Sequence, residues 1–594
     1  MTIDDLSNEQ QSLIEKVKNG ENVLVDACIG SGKTTTIQVL CNELEDKRIL
    51  YLTYNTLLKV DAKQKITAKN VTVTNYHGFA FMCLKRARIN AGISDLIQTF
   101  NRECPNIPTY DLLVLDEYQD IEEEIGEMLN YIKEKNPNLQ IVAVGDMMQK
   151  IYDKTTLNVP DFIKEFLGNY TLMHFTKCFR LSDKHAKRLG KIWEKEIHGV
   201  NEECVVEKMK LEDVVSFLSD KEPGEILCLG SRAGDMSKTL NKIEKKYPEK
   251  FNKTTVYASI SDNDRGNISP TKDTAIFTTF DSAKGMERKY CLVFDYTEEY
   301  WSLRSGYPMV KYEILRNIFL VAASRGKSKI IFVKGSERKL RDKTIAKPFP
   351  TKNEFNDPFF ISEMFDFKYK EDIERCYEFI KKKKIKEPGE ILINRKEADG
   401  YIDLSPCVGI YQEAMFFRNY DIDKEIEYVE NHHTNRPKMC IPEDASLSKK
   451  ILYLTAFNTQ HDRYISQVEL PFVSEEEKNQ IINRLKTVFT GDEPEQCGCY
   501  IKVSDGNNNY EIEGKCDVIK NNIIYELKFV SELTHEHFLQ LATYMVIMEY
   551  EKGRLWNVKN NEMWEIKVNK PKKYLNTVLK TITKGFAKKI KMIH

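Results

Sequence analysis

No stretch of this sequence reaches the roughly 20 consecutive apolar residues that cross a bilayer. Its first residues, Met1-Thr-Ile-Asp-Asp-Leu6, are acidic and lack the apolar core of a secretory leader. These absences argue against a membrane or secreted protein and set the expectation of an intracellular, cytoplasmic one. Paired-cysteine motifs are also missing. The 14 cysteines are scattered, mostly in apolar contexts such as Leu227-Cys-Leu229, and read as reduced core thiols. Cys497 and Cys499 form only a Cys-x-Cys pair, to which no metal is assigned. Neither charge sign is in excess: the formal net charge is −1, which leaves a polyanionic partner open, because a basic groove can sit on a neutral protein. Acidic residues are wholly missing from Lys567 to His594, a lysine-rich stretch. It reads either as a solvated helix face or as a contact for a phosphate backbone.

What is present is more specific. Asn22-Val-Leu-Val-Asp26 reads as a buried strand, Gly30 and Gly32 break it, and a helical pattern runs from Thr34 to Glu43. Strand, glycine loop and a helix opening on Lys-Thr make a phosphate cradle: backbone N–H groups of Gly30, Ser31 and Gly32 wrap the phosphates. Lys33 reaches the β- and γ-phosphates, and the Thr34 hydroxyl ligates Mg²⁺, with Thr35 beside it. Ala27 stands where the simplest form of the pattern has glycine. Nucleoside triphosphate hydrolysis is the expected chemistry.

Further apolar strands follow: Arg48–Thr53, a strand opening at Asn70, Asp111–Leu115 and Leu139–Val144. Helix-length segments separate them, which indicates a parallel sheet covered on both faces. Polar clusters sit at their carboxyl ends, where open α/β sheets bind ligands. Asp116 suits a Mg²⁺ contact, and Glu117 suits a group that polarises the attacking water. In order and wording these blocks resemble the superfamily 1 DNA helicases of the UvrD/Rep/PcrA type, and within them the compact F-box-helicase-like branch. The resemblance implies ATP as the nucleotide, with Gln10 of Leu6-Ser-Asn-Glu-Gln10 reading adenine. It implies single-strand DNA contacts at Thr53, Tyr54, Asn55, Tyr76 and His77, and a γ-phosphate-to-DNA relay through Gln149 and Tyr152.

A second set of strands is expected near Glu225–Leu229, Thr274–Thr278, Tyr290–Asp295 and Lys329–Val333. By the same resemblance Phe179 stacks on adenine and Arg180 reaches the γ-phosphate. Lys284, Gly285 and Glu287 form a block touching DNA backbone and nucleotide, and Arg325 is the arginine finger. Asp281 stands where the family usually has histidine. No tryptophan follows Tyr152, and the spacing leaves little room for the family's large inserted subdomains. Unaided duplex splitting is the property these departures put in question.

The C-terminal part carries a second site. Glu513–Lys520 alternates as a strand, Asn521-Asn522 suits a two-residue hairpin turn, and Ile523–Lys528 returns. That register sets Asp517 opposite Glu526, about 4.5–5.5 Å apart at Cβ, a repulsive pairing unless a divalent cation lies between. Lys528 points to the same face. A helix from Thr534 then places His537, Gln540 and Tyr544 on one side. Gly-x-x-Asp, Glu-x-Lys and Gln-x-x-x-Tyr together resemble the RecB/Cas4-type PD-(D/E)xK nuclease signature. That family often completes its metal site with an upstream histidine, here His461, and uses Mg²⁺ with Mn²⁺ as an alternative. No iron–sulfur cluster is expected, because no cysteine follows Cys516.

The expected architecture is α/β: two RecA-like parallel-sheet domains, 1–170 and 171–340, a connector or accessory region, 341–445, and a nuclease domain, 446–594. Tyr411-Gln-Glu-Ala-Met-Phe-Phe417 receives no chemistry at this stage. The expected function is an ATP-driven single-strand DNA translocase and helicase coupled to a Mg²⁺-dependent DNA nuclease. Single-stranded or forked DNA is the partner, a protein regulator is compatible, and no membrane is involved. The alternatives are an ATP-gated nuclease or sensor that does not unwind, and a helicase whose C-terminal module only binds DNA.

Overall fold

The computed structural model describes residues 2–54, 66, 68–91, 96–153, 155, 157–231, 234–252, 254–259, 270–306, 310–350, 358–362, 364–365, 375–386, 389–392, 403–432, 438–459, 463–506, 508–583, 587 and 591–592. They fall into two compact units. The first comprises Met1–Met209, Phe280–Ser305 and Val310–Pro350; the second is built mainly from Lys210–Thr279 and Thr351–His594.

The first unit is built on six strands: β1 (Val23–Ala27), β2 (Ile49–Thr53), β3 (Val71–Asn75), β4 (Leu112–Asp116), β5 (Gln140–Gly145) and β6 (Thr171–Phe175). Their order is β3-β2-β4-β5-β1-β6, all parallel. Every residue of β2, β4 and β5 is buried, as continuous apolar strands under helices on both faces must be. One apolar core lies on each side of this sheet. The helices that bear on the site are α1 (Asn8–Lys18), α2 (Lys33–Glu43) and α3 (Tyr76–Arg86). A two-residue pair, β7 (Lys177–Cys178) and β8 (His198–Gly199), follows, and then β9 (Val205–Lys210).

Each unit also carries a further set of parallel strands. In the second unit, β12 (Ala275–Thr279) runs parallel between β10 (Ile226–Gly230) and β11 (Val256–Ser259). In the first unit, β13 (Arg288–Val293) runs parallel to β14 (Gly326–Lys334), joined through α4 (Tyr312–Ala322).

The rest of the second unit is a mixed sheet. Its path is β16 (Ile380–Lys386), β21 (Glu562–Val568), β20 (Gly553–Asn557), β19 (Ile523–Lys528), β18 (Asn509–Lys520), β17 (Glu495–Ser504) and β22 (Lys591–Met592), with β15 (Phe359–Phe360) beside β18. Among the described residues only β19–β20 and β15–β18 are parallel pairs in it. The helix α6 (His535–Ile547) makes the crossover that a parallel β19–β20 pair requires. The segment expected as a connector or accessory region belongs to this unit from Thr351 onward: it supplies β15, β16 and the helix α5 (Ser405–Phe416), whose Cys407, Val408 and Tyr411 enter the core with Tyr525 and Trp556. Alternation cannot reveal such a strand when its residues, Ile380-Lys-Lys-Lys-Lys-Ile-Lys386, are nearly all charged. The helix α7 (Pro571–Ile582) closes the other side through Tyr574, Leu575, Val578 and Leu579.

Candidate functional site

In the first unit the expected nucleotide residues converge. The loop between β1 and α2 turns through Gly30 (φ 67°) and Gly32 (φ 75°), the left-handed conformation that favours glycine. A Cβ on Gly32 would lie 2.8 Å from Gln10 Nε2, so a side chain here would displace the Gln10 amide. Ser7 caps α1, and the amide oxygen of Gln10 accepts from the Ser7 N–H (2.9 Å). Its Nε2 donates to the Ser31 carbonyl (3.0 Å), tying α1 to the loop. Ser31 is buried, and Thr35 follows on α2. Phe179 also lies against the loop: its N–H donates to the Gly30 carbonyl (2.8 Å), yet 45% of it is exposed. An open aromatic face beside a phosphate loop suits stacking on a base.

The acidic residues sit at the end of β4. Asp116 Oδ2 accepts from the Thr34 hydroxyl (3.2 Å) and from the Tyr51 hydroxyl (2.7 Å), while the buried Oδ1 has no hydrogen-bond partner. Burial, then the neighbouring Glu117, push its carboxyl up to about 6. Glu117 adopts φ 60°, lies 3.7 Å from Lys33 Nζ and accepts from the Gln119 amide. A buried carboxylate with an empty oxygen beside a threonine hydroxyl fits a bound divalent cation.

Gln119 Oε1 accepts from the Asp146 N–H (3.0 Å), and Asp146 Oδ2 accepts from Gln149 Nε2 (2.9 Å). Lys195 Nζ bridges Asp26 (2.7 Å) and Asp146 (2.9 Å). Three of these residues, Gln119, Asp146 and Lys195, were not singled out as site residues. Asp146 and Gln119 stand inside the recognised blocks, whereas nothing local marks Lys195.

The arginines are close-set. Arg180 and Lys327 both pair with Glu287, the latter at 2.6 Å. Burial opposes ionisation of Glu287, but Arg180 and Lys327 override it and hold the carboxyl down at about 2. Arg325 is 3% exposed; its Nε donates to the Val321 carbonyl (3.1 Å), and one terminal nitrogen is buried with no partner. Burial and the nearby Arg180 lower it to about 10. Gly285 takes φ 75° in the adjoining turn.

The expected DNA contacts are placed unevenly. Thr53 is fully buried at the end of β2, opposite Asp116. Tyr54 donates to Glu122 Oε1 (3.1 Å) and lines a small cleft with Gln119, Asp120, Lys150 and Tyr152. His77 is half-buried on α3. Two expectations need correction. Tyr76 is 1% exposed and packs in the core with Phe79 and Leu115, so its ring offers no stacking face. Lys284 is also engaged: its Nζ pairs with Asp120 (2.6 Å) and donates to the Gln149 carbonyl (2.9 Å), so it ties two motifs together instead of standing open to a phosphate. Asn55 lies outside the described residues.

In the second unit the hairpin takes the expected register at its tip: Lys520 faces Ile523, Ile519 faces Ile524 and Val518 faces Tyr525. Asn521 (φ 51°) and Asn522 (φ 60°) form its turn. The backbone ladder stops there, and Asp517 Oδ2 accepts from the Leu527 N–H (2.6 Å). Glu526 is 1% exposed; its Oε1 accepts from Lys528 Nζ (2.9 Å), and its buried Oε2 has no hydrogen-bond partner. Burial, then Glu526, raise Asp517 to about 8. Burial works against a charged Lys528, but Glu526 and Asp517 hold its proton.

On α6, Gln540 hydrogen-bonds Tyr544, whose hydroxyl is raised by burial and then by the charge of Glu526. A Cβ on Gly514 would lie 2.9 Å from Tyr544 Cε1, which explains the glycine of Gly-x-x-Asp. His537 Nδ1 accepts from the Thr534 N–H (3.0 Å), capping α6, and burial followed by Lys528 depresses it to about 3.

His461 lies outside the described residues. A residue without an assigned role joins the cluster: Glu413 of α5. Its Oε2 accepts from Gln496 Nε2 (2.8 Å), and burial, then Asp517, push its carboxyl well above the usual range. The signal was available as a lone acid within the aromatic run Tyr411–Phe417, because a buried charge needs a partner. Among the described residues no three acidic, histidine or cysteine side chains converge at metal-binding distance. Magnesium binds through one or two carboxylates and fills its remaining positions with water and phosphate oxygens. Asp517 and Glu526, with one empty buried oxygen, fit that use.

The chain thus carries two catalytic-type sites, a phosphate-loop ATPase site in one unit and a carboxylate–lysine site in the other. Comparison with known proteins finds a match at each: residues 10–155 match the family model of an AAA domain, and residues 495–568 match that of the PD-(D/E)XK nuclease superfamily. The two matches lie on one chain, one over each site. No curated protein matches. Similar solved structures include the DUF1998 helicase MrfA bound to DNA, with 14% identity, 56% of this chain and 49% of that one covered, and a TM-score of 0.33. The Pif1 helicase from Candida albicans is another, with 16% identity, 32% and 43% covered, and a TM-score of 0.22. The chain spans about half the length of these neighbours or less. Among the described residues no helix is long and apolar enough to cross a membrane.

Proposed function

We propose that this chain is an ATP-driven translocase and helicase on single-stranded DNA, coupled to a Mg²⁺-dependent DNA nuclease that serves repair, phage replication or antiviral defence. The observation that carries the reading is the pair of buried carboxylates, Asp116 and Glu526, each with an oxygen lacking any partner, the first bonded to the Thr34 hydroxyl and the second to Lys528. In the motor, Lys33 and Thr34 hold the phosphates and the cation, Glu117 orients water, and Arg180 and Arg325 meet the γ-phosphate. Arg180 leaves Glu287 to do so, which links nucleotide arrival to a local rearrangement. Phe179 and Gln10 hold the base.

In the nuclease, Asp517 and Glu526 hold Mg²⁺, with Glu413 supporting Asp517. The bound cation supplies an activated water and a polarised phosphodiester. Lys528 faces the attacked phosphate, and Gln540 and Tyr544 fix the position of Glu526. DNA as the strand draws support from Tyr54 and Tyr152, which line one small cleft together with Lys150.

Two substitutions test the reading. Lys33→Ala is expected to abolish ATP turnover, and Asp517→Ala is expected to abolish Mg²⁺-dependent cleavage of labelled single strands. Cleavage by Asp517→Ala at the wild-type rate would remove the nuclease from the proposal.

A further inference from the structure

We infer that the outer edge of the nuclease-side sheet is a binding surface for the phosphodiester backbone of a DNA strand. It is formed by Lys381 and Lys383 of β16, Lys567 of β21, and Lys570, Lys572 and Lys573 at the start of α7. The inference rests on the nuclease reading above and extends it to how a strand is held.

Two basic runs that are far apart in sequence meet here. β16 pairs antiparallel with β21, and this register sets Lys381 directly opposite Lys567. Like charges directly opposite on neighbouring strands destabilise a sheet. The next pair does not relieve them: Lys383 faces Glu565, whose carboxylate is held by Arg554 at 3.0 Å. The Asn569 N–H donates to the Phe379 carbonyl (2.8 Å), bringing the start of α7 against the start of β16, and Lys573 Nζ lies 5.9 Å from the Phe379 ring centre. The first turn of α7 contains no acidic residue, has no side-chain cap and carries Lys572 and Lys573. Cations at that end oppose the helix dipole. All six lysines are exposed.

Such an accumulation of like charge costs stability in the free protein and is relieved by a polyanion. Edge lysines also deter strand-to-strand aggregation. That role accounts for β16, but not for Lys567 on the strand inside it, nor for the lysines of α7. Lys382 and Lys384 have other duties: Lys382 donates to the Tyr377 hydroxyl (2.6 Å) and Lys384 lies 3.6 Å from Glu562. A single DNA strand, with one charge per nucleotide, complements a lysine row on an edge strand.

The test uses the full chain in an Asp517→Asn background, so that binding is read without cleavage. Fluorescence anisotropy with a labelled oligothymidylate across a salt series compares it with the same chain carrying Lys381→Gln, Lys383→Gln and Lys567→Gln. The expected result is affinity weakened at least tenfold and a log K versus log salt slope reduced by about 2, near 0.7 per lysine removed. Arginine at the same three positions restores both. A second variant, Lys572→Gln with Lys573→Gln, lowers the slope without touching the sheet. Unchanged slopes in both variants overturn the inference. So does a glutamine triple variant that self-associates on gel filtration while binding DNA as before, which would mark the lysines as edge protection alone. Failure of the nuclease reading shows separately, as persistent cleavage by Asp517→Asn.

Discussion

At the scale of single residues, the decisive quantity is the charge state of Asp517. Its carboxyl, raised to about 8 by burial and by Glu526, carries a proton in the folded chain that an unfolded chain releases near its ordinary value of about 4. Below that value both states are protonated and nothing differs. As pH climbs from there towards 8, the unfolded state gains on the folded one, and above 8 the loss is complete. Without metal the nuclease-bearing unit is therefore expected to lose thermal stability as pH rises across this window. Added Mg²⁺, which replaces the proton, is expected to restore it. Melting curves with and without chelator, at a series of pH values, check this. Asp517→Asn should melt higher than wild type without metal at pH 8 and gain nothing from Mg²⁺. Glu413 acts through the same charges. Burial, then the charge of Asp517, push its carboxyl well above the usual range, so Glu413→Gln removes one titrating group from the cluster. At pH 7 the cleavage rate of this variant should depend less steeply on pH than that of wild type, and a pH–rate profile of unchanged shape would dismiss Glu413 from the site.

At the scale of elements, the hairpin β18–β19 sets the spacing of the two carboxylates, and its turn sets the hairpin. Asn521 and Asn522 both sit at positive φ, which asparagine tolerates and β-branched residues do not. Asn522→Val is expected to cost about 1–2 kcal/mol and to depress cleavage along with stability, while Asn522→Gly keeps both. Differential scanning calorimetry paired with a cleavage assay separates these outcomes. The same hairpin shows what a sequence can and cannot disclose. Turn, tip register and catalytic-type triad were legible because strand alternation and asparagine chemistry are local. The bond from Leu527 N–H to Asp517 Oδ2, which replaces the ladder, was not, because it depends on burial by α6 and α5. In the first unit, β1 to β5 were legible within a residue or so from their apolar runs, whereas β6, only half buried, was not. The inward turn of Tyr76 and the capture of Lys284 by Asp120 were not, because both are decided by neighbours distant in sequence. β16 stayed hidden for a related reason: its lysines show no alternation, and only its pairing with β21 makes it a strand.

At the scale of the whole molecule, the two sites are chemically self-contained. Lys33, Thr34, Asp116, Glu117, Arg180 and Arg325 all belong to the first unit, and Glu413, Asp517, Glu526 and Lys528 all belong to the second. None of these named residues is shared between the units, and on the proposed reading the strand itself is the link to be tested. This gives an expectation about substrates. Short single strands diffuse to the nuclease unaided, so their cleavage should proceed at the same rate with or without ATP, in wild type and in Lys33→Ala alike. Long or forked DNA must be moved before successive cuts can fall along it. With ATP, wild type should yield an evenly advancing ladder of products from such substrates. Lys33→Ala should give only cuts near free ends, as wild type does without ATP. Sequencing gels of end-labelled forks over time distinguish the two patterns. If ATP accelerates cleavage of short and long strands equally, and Lys33→Ala slows both, the nucleotide gates the nuclease instead of feeding it, and translocation is not what joins the two sites.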